Sequence, residues 1–194
     1  MDINYSKNFF SQYTYNIPLD ETSISKIFNI TNPLPFSEGS TNDLNKESQR
    51  KSNIKWVKKL QSTQWLFDEL INLVNYANKD FYKFDITNYN SPIQYTEYTQ
   101  GGNYNWHQDQ VYNSNALVRK LSIVIQLSSP QDYLGGILQL NDAYTNNDRY
   151  ESYSVPRKLG LISIFPSHLP HKVTSVAKGN RKSLVWWVEG PPFK

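Results

Sequence analysis

Residues 160–189 read GLISIFPSHLPHKVTSVAKGNRKSLVWWVE. Within this stretch the runs GLISIF, HKVTSV and RKSLVWWVE are short and rich in β-branched and aromatic residues, and Lys178-Gly179-Asn180 marks a turn before the last of them. They predict strands. Two of the three histidines in the whole chain, His168 and His171, also fall here.

The same pattern extends back to Phe81 through FYKFDI, PIQYTEYT, YNWHQDQ, VRKLSIVIQL, GILQLND and ESYSV, with turn signals at Ser91-Pro92, Gly101-Gly102, Ser129-Pro130 and Gly135-Gly136. Eight or more short strands predict a sandwich, jelly roll or barrel. Upstream the period changes. STQWLFDELINLVNYAN, from Ser62, puts Leu66, Leu70, Leu73 and Ala77 on one helix face, with Phe67, Ile71 and Val74 beside them. Residues 18–30 carry a shorter helical signal, with Asp20 as N-cap ahead of Ile24, Ile27 and Phe28. Thr31 to about Ser48 reads as loop, and a weaker helix is expected between about Gln49 and Leu60. The fold class expected is α+β, mainly β, as one domain over 1–194: a helical part at 1–80 covering one face of a β core at 81–190.

Composition narrows the chemistry. With 38% apolar and 19% charged residues, the 194-residue chain is globular rather than disordered, and long enough to bury a sizeable core. The absence of cysteine excludes disulfides, thiolate zinc sites, iron–sulfur clusters and cysteine nucleophiles. A net charge of +3 is weak evidence for nucleic acid. The one basic cluster, Arg50, Lys51, Lys55, Lys58 and Lys59, recurs at helical spacing and reads as a solvated helix face, so no nucleic-acid partner is expected. The opening MDINYSKNFFSQYTYN has no basic start or apolar core, and no run reaches the ~20 apolar residues of a membrane span. The expectation is a cytoplasmic protein without membrane contact.

In YNWHQDQ, side chains two apart on a strand share a face, so His107 and Asp109 can converge on one ion. Taken alone, such a pair reads rather as a hydrogen-bonded surface pair. A third ligand would have to be His168 or His171. Two imidazoles and a carboxylate leave three octahedral positions open, the arrangement of non-haem Fe(II) oxygenases. Arg181 follows His171 by ten residues, with Ser183 beyond it. A guanidinium is the natural bidentate partner of a carboxylate, though a lone arginine here would also suit a hairpin-foot ion pair.

EYTQGGNYNWHQD, RKLSIVIQLS, GGILQL and GLISIFPSHLPHKVTSVAKGNRKSLVWWVE together resemble the prolyl 4-hydroxylase-like branch of the 2-oxoglutarate/Fe(II) dioxygenases over about residues 81–190. QRKSNIKWV, QWLFDEL and PIQYTEY extend the likeness toward members found in bacteria and phages. The resemblance implies a double-stranded β-helix, with iron on His107, Asp109 and His171 and the far carboxylate of 2-oxoglutarate on Arg181. It puts Ser183 in the place of a serine beside that arginine, Tyr98 against the co-substrate pocket and Gln126 at a polar contact that many relatives fill with tyrosine. His168, off the family spacing, belongs to the loop near the site mouth.

The implied reaction uses O₂ and 2-oxoglutarate to hydroxylate a substrate C–H, releasing succinate and CO₂, with ascorbate as a supporting reductant. Asp109 argues for hydroxylation over halogenation, because related halogenases replace that carboxylate with a small residue. The expected substrate is a prolyl or other residue of a peptide or protein; a free amino acid or other small polar metabolite is the alternative. An extended groove with exposed aromatics would favour the peptide, and a closed pocket with a second buried Arg or Lys a small acid. QVYNSNALV, NDAYTNNDRYESYS and the loop around Asn32 to Ser48 are expected to choose between them. A metal-free jelly-roll binding module is the reading from outside enzymology, and it leaves the joint spacing of His107, Asp109, His171 and Arg181 unexplained. Gly135-Gly136 reads as a bend or close-approach site, and of Trp186 and Trp187 one should be core and the other near the pocket.

Overall fold

The computed structural model describes residues 14–15, 19–39, 49–112, 116–141 and 152–193. In chain order they form β1 (Thr14–Tyr15), α1 (Glu21–Thr31), β2 (Ser37–Glu38), β3 (Arg50–Lys51), β4 (Asn53–Val57), α2 (Gln64–Ala77) and a π-helical turn (Asn78–Tyr82). There follow β5 (Ile93–Tyr98), β6 (Asn103–His107), β7 (Val118–Gln126), β8 (Tyr133–Gly135), β9 (Leu138–Asn141) and β10 (Ser152–Ser154). The last four are β11 (Ile162–Pro166), β12 (His171–Val173), β13 (Val176–Gly179) and β14 (Arg181–Gly190). Pairing is antiparallel, in a seven-stranded sheet ordered β1-β11-β7-β14-β5-β4-β2, a five-stranded sheet ordered β10-β9-β12-β6-β3, and the β8–β13 pair.

Strand alternation divides the large sheet into a helix side and a cleft side. Leu121, Ile123 and Ile125 of β7 and Leu184, Trp186 and Val188 of β14 pack with Leu66, Phe67, Leu70 and Val74 of α2. Trp186 meets Phe67 edge-on at 5.9 Å and donates its indole N–H to Ser91 O at 2.8 Å. The intervening residues Val124, Ser183, Val185 and Trp187 line a cleft shared with the smaller sheet. A second core of Leu138, Leu140, Phe165, Leu169, Val173 and Val176 lies within the β part. The helices thus brace the back of the sheet whose front carries the cleft. Asp20 caps α1 as expected, accepting from Ser23 N at 2.6 Å.

The expected mainly-β fold with helices on one face is present, with local corrections. The segment at 49–60 is β3 and β4 rather than helix, because β4 pairs with β5 from Asn53↔Glu97 to Val57↔Ile93. FYKFDI is not a strand. Phe81 and Tyr82 end the π-helical turn, and the Asn78 side chain takes the place of a neighbouring strand, donating to Phe84 O at 2.8 Å and accepting from Phe84 N at 2.9 Å. HKVTSV divides into β12 and β13, which join different sheets. Gly135 and Gly136 do form a bend with positive φ, and a Cβ on Gly136 would lie 3.1 Å from Arg181 Cδ. No helix among the described residues is long and apolar enough to cross a membrane.

Candidate metal centre

His107 ends β6 and His171 begins β12, and the two are register partners. Asp109 lies two residues past the end of β6, not on the strand as expected; its N–H donates to Ser167 O at 2.9 Å. Ligand atoms of His107, Asp109 and His171 all fall within 4.8 Å of one another. Nε2 of His107 is 3.6 Å from Asp109 Oδ1, and Nε2 of His171 is 3.3 Å from Asp109 Oδ2. His168 brings no ligand atom into this group: it is exposed, its carbonyl accepts from Gln108 Nε2 and its ring meets Phe193 edge-on.

Each ligating ring is aimed by its other nitrogen. Nδ1 of His107 is 2.7 Å from Asn105 O and Nδ1 of His171 is 2.9 Å from Leu169 O. A carbonyl only accepts, so both Nδ1 atoms carry hydrogen, which leaves Nε2 as the ligand atom of each ring in its neutral form. Tyr104 stacks on His107 with centroids 3.4 Å apart, and Phe165 closes on His171. Ser122 donates to Asp109 Oδ2 at 2.9 Å and shares a hydrogen bond with Ser167.

The electrostatics match a cation's needs. Burial, then the charge of His171, pulls the His107 pKa down to about 4, so the ring is neutral at physiological pH. Burial alone would raise the Asp109 carboxyl, but the charge and hydrogen bond of His171, with the charge of His107, hold it well below the ordinary range. Burial works against the His171 cation, and Asp109 outweighs it, leaving that pKa raised. The Trp187 indole N–H leans toward Asp109 and helps keep the carboxyl low, yet stops short of a full hydrogen bond. Two nitrogens and a carboxylate oxygen, all facing one point on a wall of the cleft, fit iron(II) with coordination positions to spare.

Arg181 is 3% exposed and pairs in register with Tyr98. Its Nη1 donates to Ser183 Oγ at 3.2 Å, and the guanidinium lies 5.5 Å from the Tyr98 ring centroid. Gln126 stands behind, donating to the Tyr133 hydroxyl at 2.9 Å, and Tyr133 in turn lies against Arg181. All four co-substrate residues expected from the sequence are therefore in one place. Among the described residues no carboxylate forms an ion pair with Arg181. Sequence reasoning missed Tyr133, which sits on the unexpected strand β8, and Ser122, whose only trace was a serine within an otherwise apolar run.

The cleft measures about 640 Å³, and Arg50, Arg119, Tyr104, Trp56 and Trp187 line its remaining walls. Of the segments expected to choose the substrate, 40–48, 113–115 and 142–151 lie outside the described residues. Val111 and Tyr112 are exposed near the mouth.

A profile of the 2OG-Fe(II) oxygenase superfamily matches residues 93–189, half of the chain. A PKHD-type hydroxylase of Stenotrophomonas maltophilia is 29% identical over 102 residues, covering 50% of this chain and 43% of that protein. One from Sphingopyxis alaskensis is 30% identical over 132 residues, covering 66% and 56%. The chain thus spans about half the length of these relatives. Among solved structures, a Pseudomonas putida prolyl-4-hydroxylase superposes with a TM-score of 0.71 at 16% identity, covering 94% of both chains. A Trichoplax adhaerens prolyl hydroxylase, solved with a hypoxia inducible factor peptide fragment, gives 0.71 at 19% identity, covering 92% of this chain and 83% of that one. These two likenesses show the fold; with the profile match across the ligand-bearing strands, the chain belongs to the 2OG-Fe(II) oxygenase superfamily.

Proposed function

We propose that this protein is an Fe(II)- and 2-oxoglutarate-dependent dioxygenase that hydroxylates a C–H centre of a peptide or protein, a prolyl residue foremost. The observation that carries the reading is a buried guanidinium, Arg181, that has no carboxylate partner among the described residues and lies in the same cleft as an imidazole–carboxylate–imidazole triad. A buried cation of this kind calls for a counter-charge, and a dicarboxylate bound at the metal would bring one.

His107, Asp109 and His171 hold the iron. Arg181 takes the far carboxylate of 2-oxoglutarate with Ser183 beside it, while Tyr98, Tyr133 and Gln126 wall that end of the cleft. When bound, the metal activates O₂ and couples oxidative decarboxylation of 2-oxoglutarate to succinate and CO₂ with hydroxylation of the substrate. The chain's own contributions are orientation and exclusion. Asn105 and Leu169 carbonyls fix the imidazoles, Ser122 fixes Asp109, and Val124, Leu138, Val173 and Val185 keep the floor of the cleft dry. The likeness to the Pseudomonas putida prolyl-4-hydroxylase and to the peptide-bound Trichoplax prolyl hydroxylase supports a peptide substrate, as does Trp56, 40% exposed at the cleft mouth.

The test is anaerobic titration of Fe(II) into protein with 2-oxoglutarate, following the visible metal-to-ligand charge-transfer band. The band should appear in the wild type, vanish in His107→Ala, Asp109→Ala and His171→Ala, and weaken in Arg181→Ala. A folded, metal-loaded wild type without the band would overturn the reading.

A further inference from the structure

The ladder between β7 and β14 slips by one residue at a point the sequence does not announce: Val188 pairs with Leu121, but Glu189 pairs with Arg119. Lys120 is the extra residue of this bulge. Bulges re-aim side chains, and here the slip puts Arg119 on the cleft wall while Lys120 lies over the Phe193 ring at 3.4 Å. The Arg119 guanidinium sits 4.0 Å from the Trp187 ring centroid, and its Nε is buried with no acceptor among the described residues.

Across the cleft, on the smaller sheet, Arg50 is held as a preorganised fork. Nε donates to Ser52 Oγ and Nη2 to Gln94 Oε1, both at 2.8 Å, and the guanidinium lies 4.8 Å from the Tyr104 ring centroid. Neither arginine forms an ion pair with a carboxylate among the described residues. Glu189, opposite Arg119 in register, accepts from Asn88 Nδ2 at 2.7 Å.

Resting on the function proposed above, we propose that Arg119, assisted by Arg50, is the specificity determinant of this cleft and receives a carboxylate carried by the substrate. The charge count favours an anion over a neutral carbonyl. Metal binding engages Asp109, the other negative charge near Arg119, and the co-substrate engages Arg181. Arg50 and Arg119 then stand against one lining carboxylate, Glu38, which leaves the substrate side of the cleft net positive, and a carboxylate matches the planar forks in geometry and sign. Trp56 and Trp187 supply aromatic surface for the apolar part of the same molecule. The carboxylate has two possible sources, an acidic residue flanking the target in a peptide or a free small acid.

The experiment is equilibrium dialysis with mass-spectrometric readout of what the full-length protein retains, loaded with Mn(II) and 2-oxoglutarate and also unloaded. One probe set is a randomised pentapeptide pool in matched versions, Asp/Glu-containing and Asn/Gln-containing. The other is a mixture of free amino acids and their carboxamides. The wild type should retain the acidic member of at least one set about tenfold better than its amide, as expected when charge-assisted hydrogen bonds are replaced by neutral ones. Preference in the peptide pool alone assigns the carboxylate to a peptide, and in the free set alone to a small acid. Arg119→Gln should cut the preference to about twofold or less, Arg119→Lys should keep part of it, and Arg50→Gln should weaken it. Equal retention of acid and amide in both sets, no retention of any probe, or a preference that survives Arg119→Gln overturns the proposal. If the wild type does not load 2-oxoglutarate, the oxygenase reading falls instead, and the acid preference is still scored on the unloaded protein.

Discussion

His107 and His171 sit opposite one another across the β6–β12 pair, ring centroids 4.1 Å apart, each hydrogen-bonded through Nδ1 to the carbonyl two residues before it. The aim of both rings is therefore set by backbone, while that of Asp109 depends on a side chain, the Ser122 hydroxyl. Ser122→Ala should weaken Mn(II) affinity about 10–100-fold, with the triad itself intact. Competition titration of Mn(II) against a fluorescent chelator measures this, and an unchanged affinity would show that Ser122 does not orient the carboxylate.

Metal affinity should depend on one proton. The His171 pKa is raised, so below it the ring is protonated and a metal must displace that proton; His107, at about 4, is already neutral, and Asp109 is already ionised. Apparent affinity should fall about tenfold per pH unit below the His171 pKa and level off above it. Titrations from mildly acidic to mildly alkaline pH test the slope; a two-proton slope near neutrality would contradict the assignment.

Gly136 adopts φ of +58°, and a Cβ there would come within 3.0–3.2 Å of Val176, Arg181 and Tyr133 side chains. Gly136→Ala should therefore displace the guanidinium and weaken 2-oxoglutarate binding several-fold, beyond the ~1 kcal/mol cost of a left-handed alanine. Calorimetric titration of Mn(II)-loaded protein separates the two effects, since Mn(II) affinity should stay near the wild-type value.

Lys55 is 6% exposed and donates to Thr31 O at 2.9 Å and Asn32 O at 3.2 Å, closing the C-terminus of α1. Phe36 lies beneath its ammonium at 4.1 Å. Lys55→Met keeps the stem and leaves a buried carbonyl without a donor, costing about 1–3 kcal/mol. Thermal unfolding should show a Tm lower by roughly 2–4 °C for each kcal/mol.

What the sequence revealed follows from how locally each feature is encoded. The strands from Ile93 to Gly190 other than the three-residue β8, and the helices capped at Asp20 or built on Leu66, Phe67 and Leu70, have their burial pattern in their own residues, so they were legible. Residues 49–60 misled because lysines at helical spacing imitate a solvated face, whereas Lys55 is buried by α1 and β5, partners that lie outside the segment. FYKFDI misled because Phe81 and Tyr82, in the π-helical turn, and Phe84 and Ile86, in coil, pack half-buried against the helix-side core. At the site, the ligand spacing was legible, and Arg119 was not, because alternation along VRKLSIVIQL turns it away from the cleft until the slip opposite Glu189 is known.

That slip means that the cleft-facing cation is defined by its partner on β14, not by its count from Asp109. A relative whose strand lacks the extra residue would present the cation immediately before its equivalent of Leu121, one place later than a gap-free alignment would look for it. Deleting Lys120 should likewise leave Arg119 opposite Glu189, so the charge of the cleft can survive a change in strand length that would scramble its apparent position in the sequence.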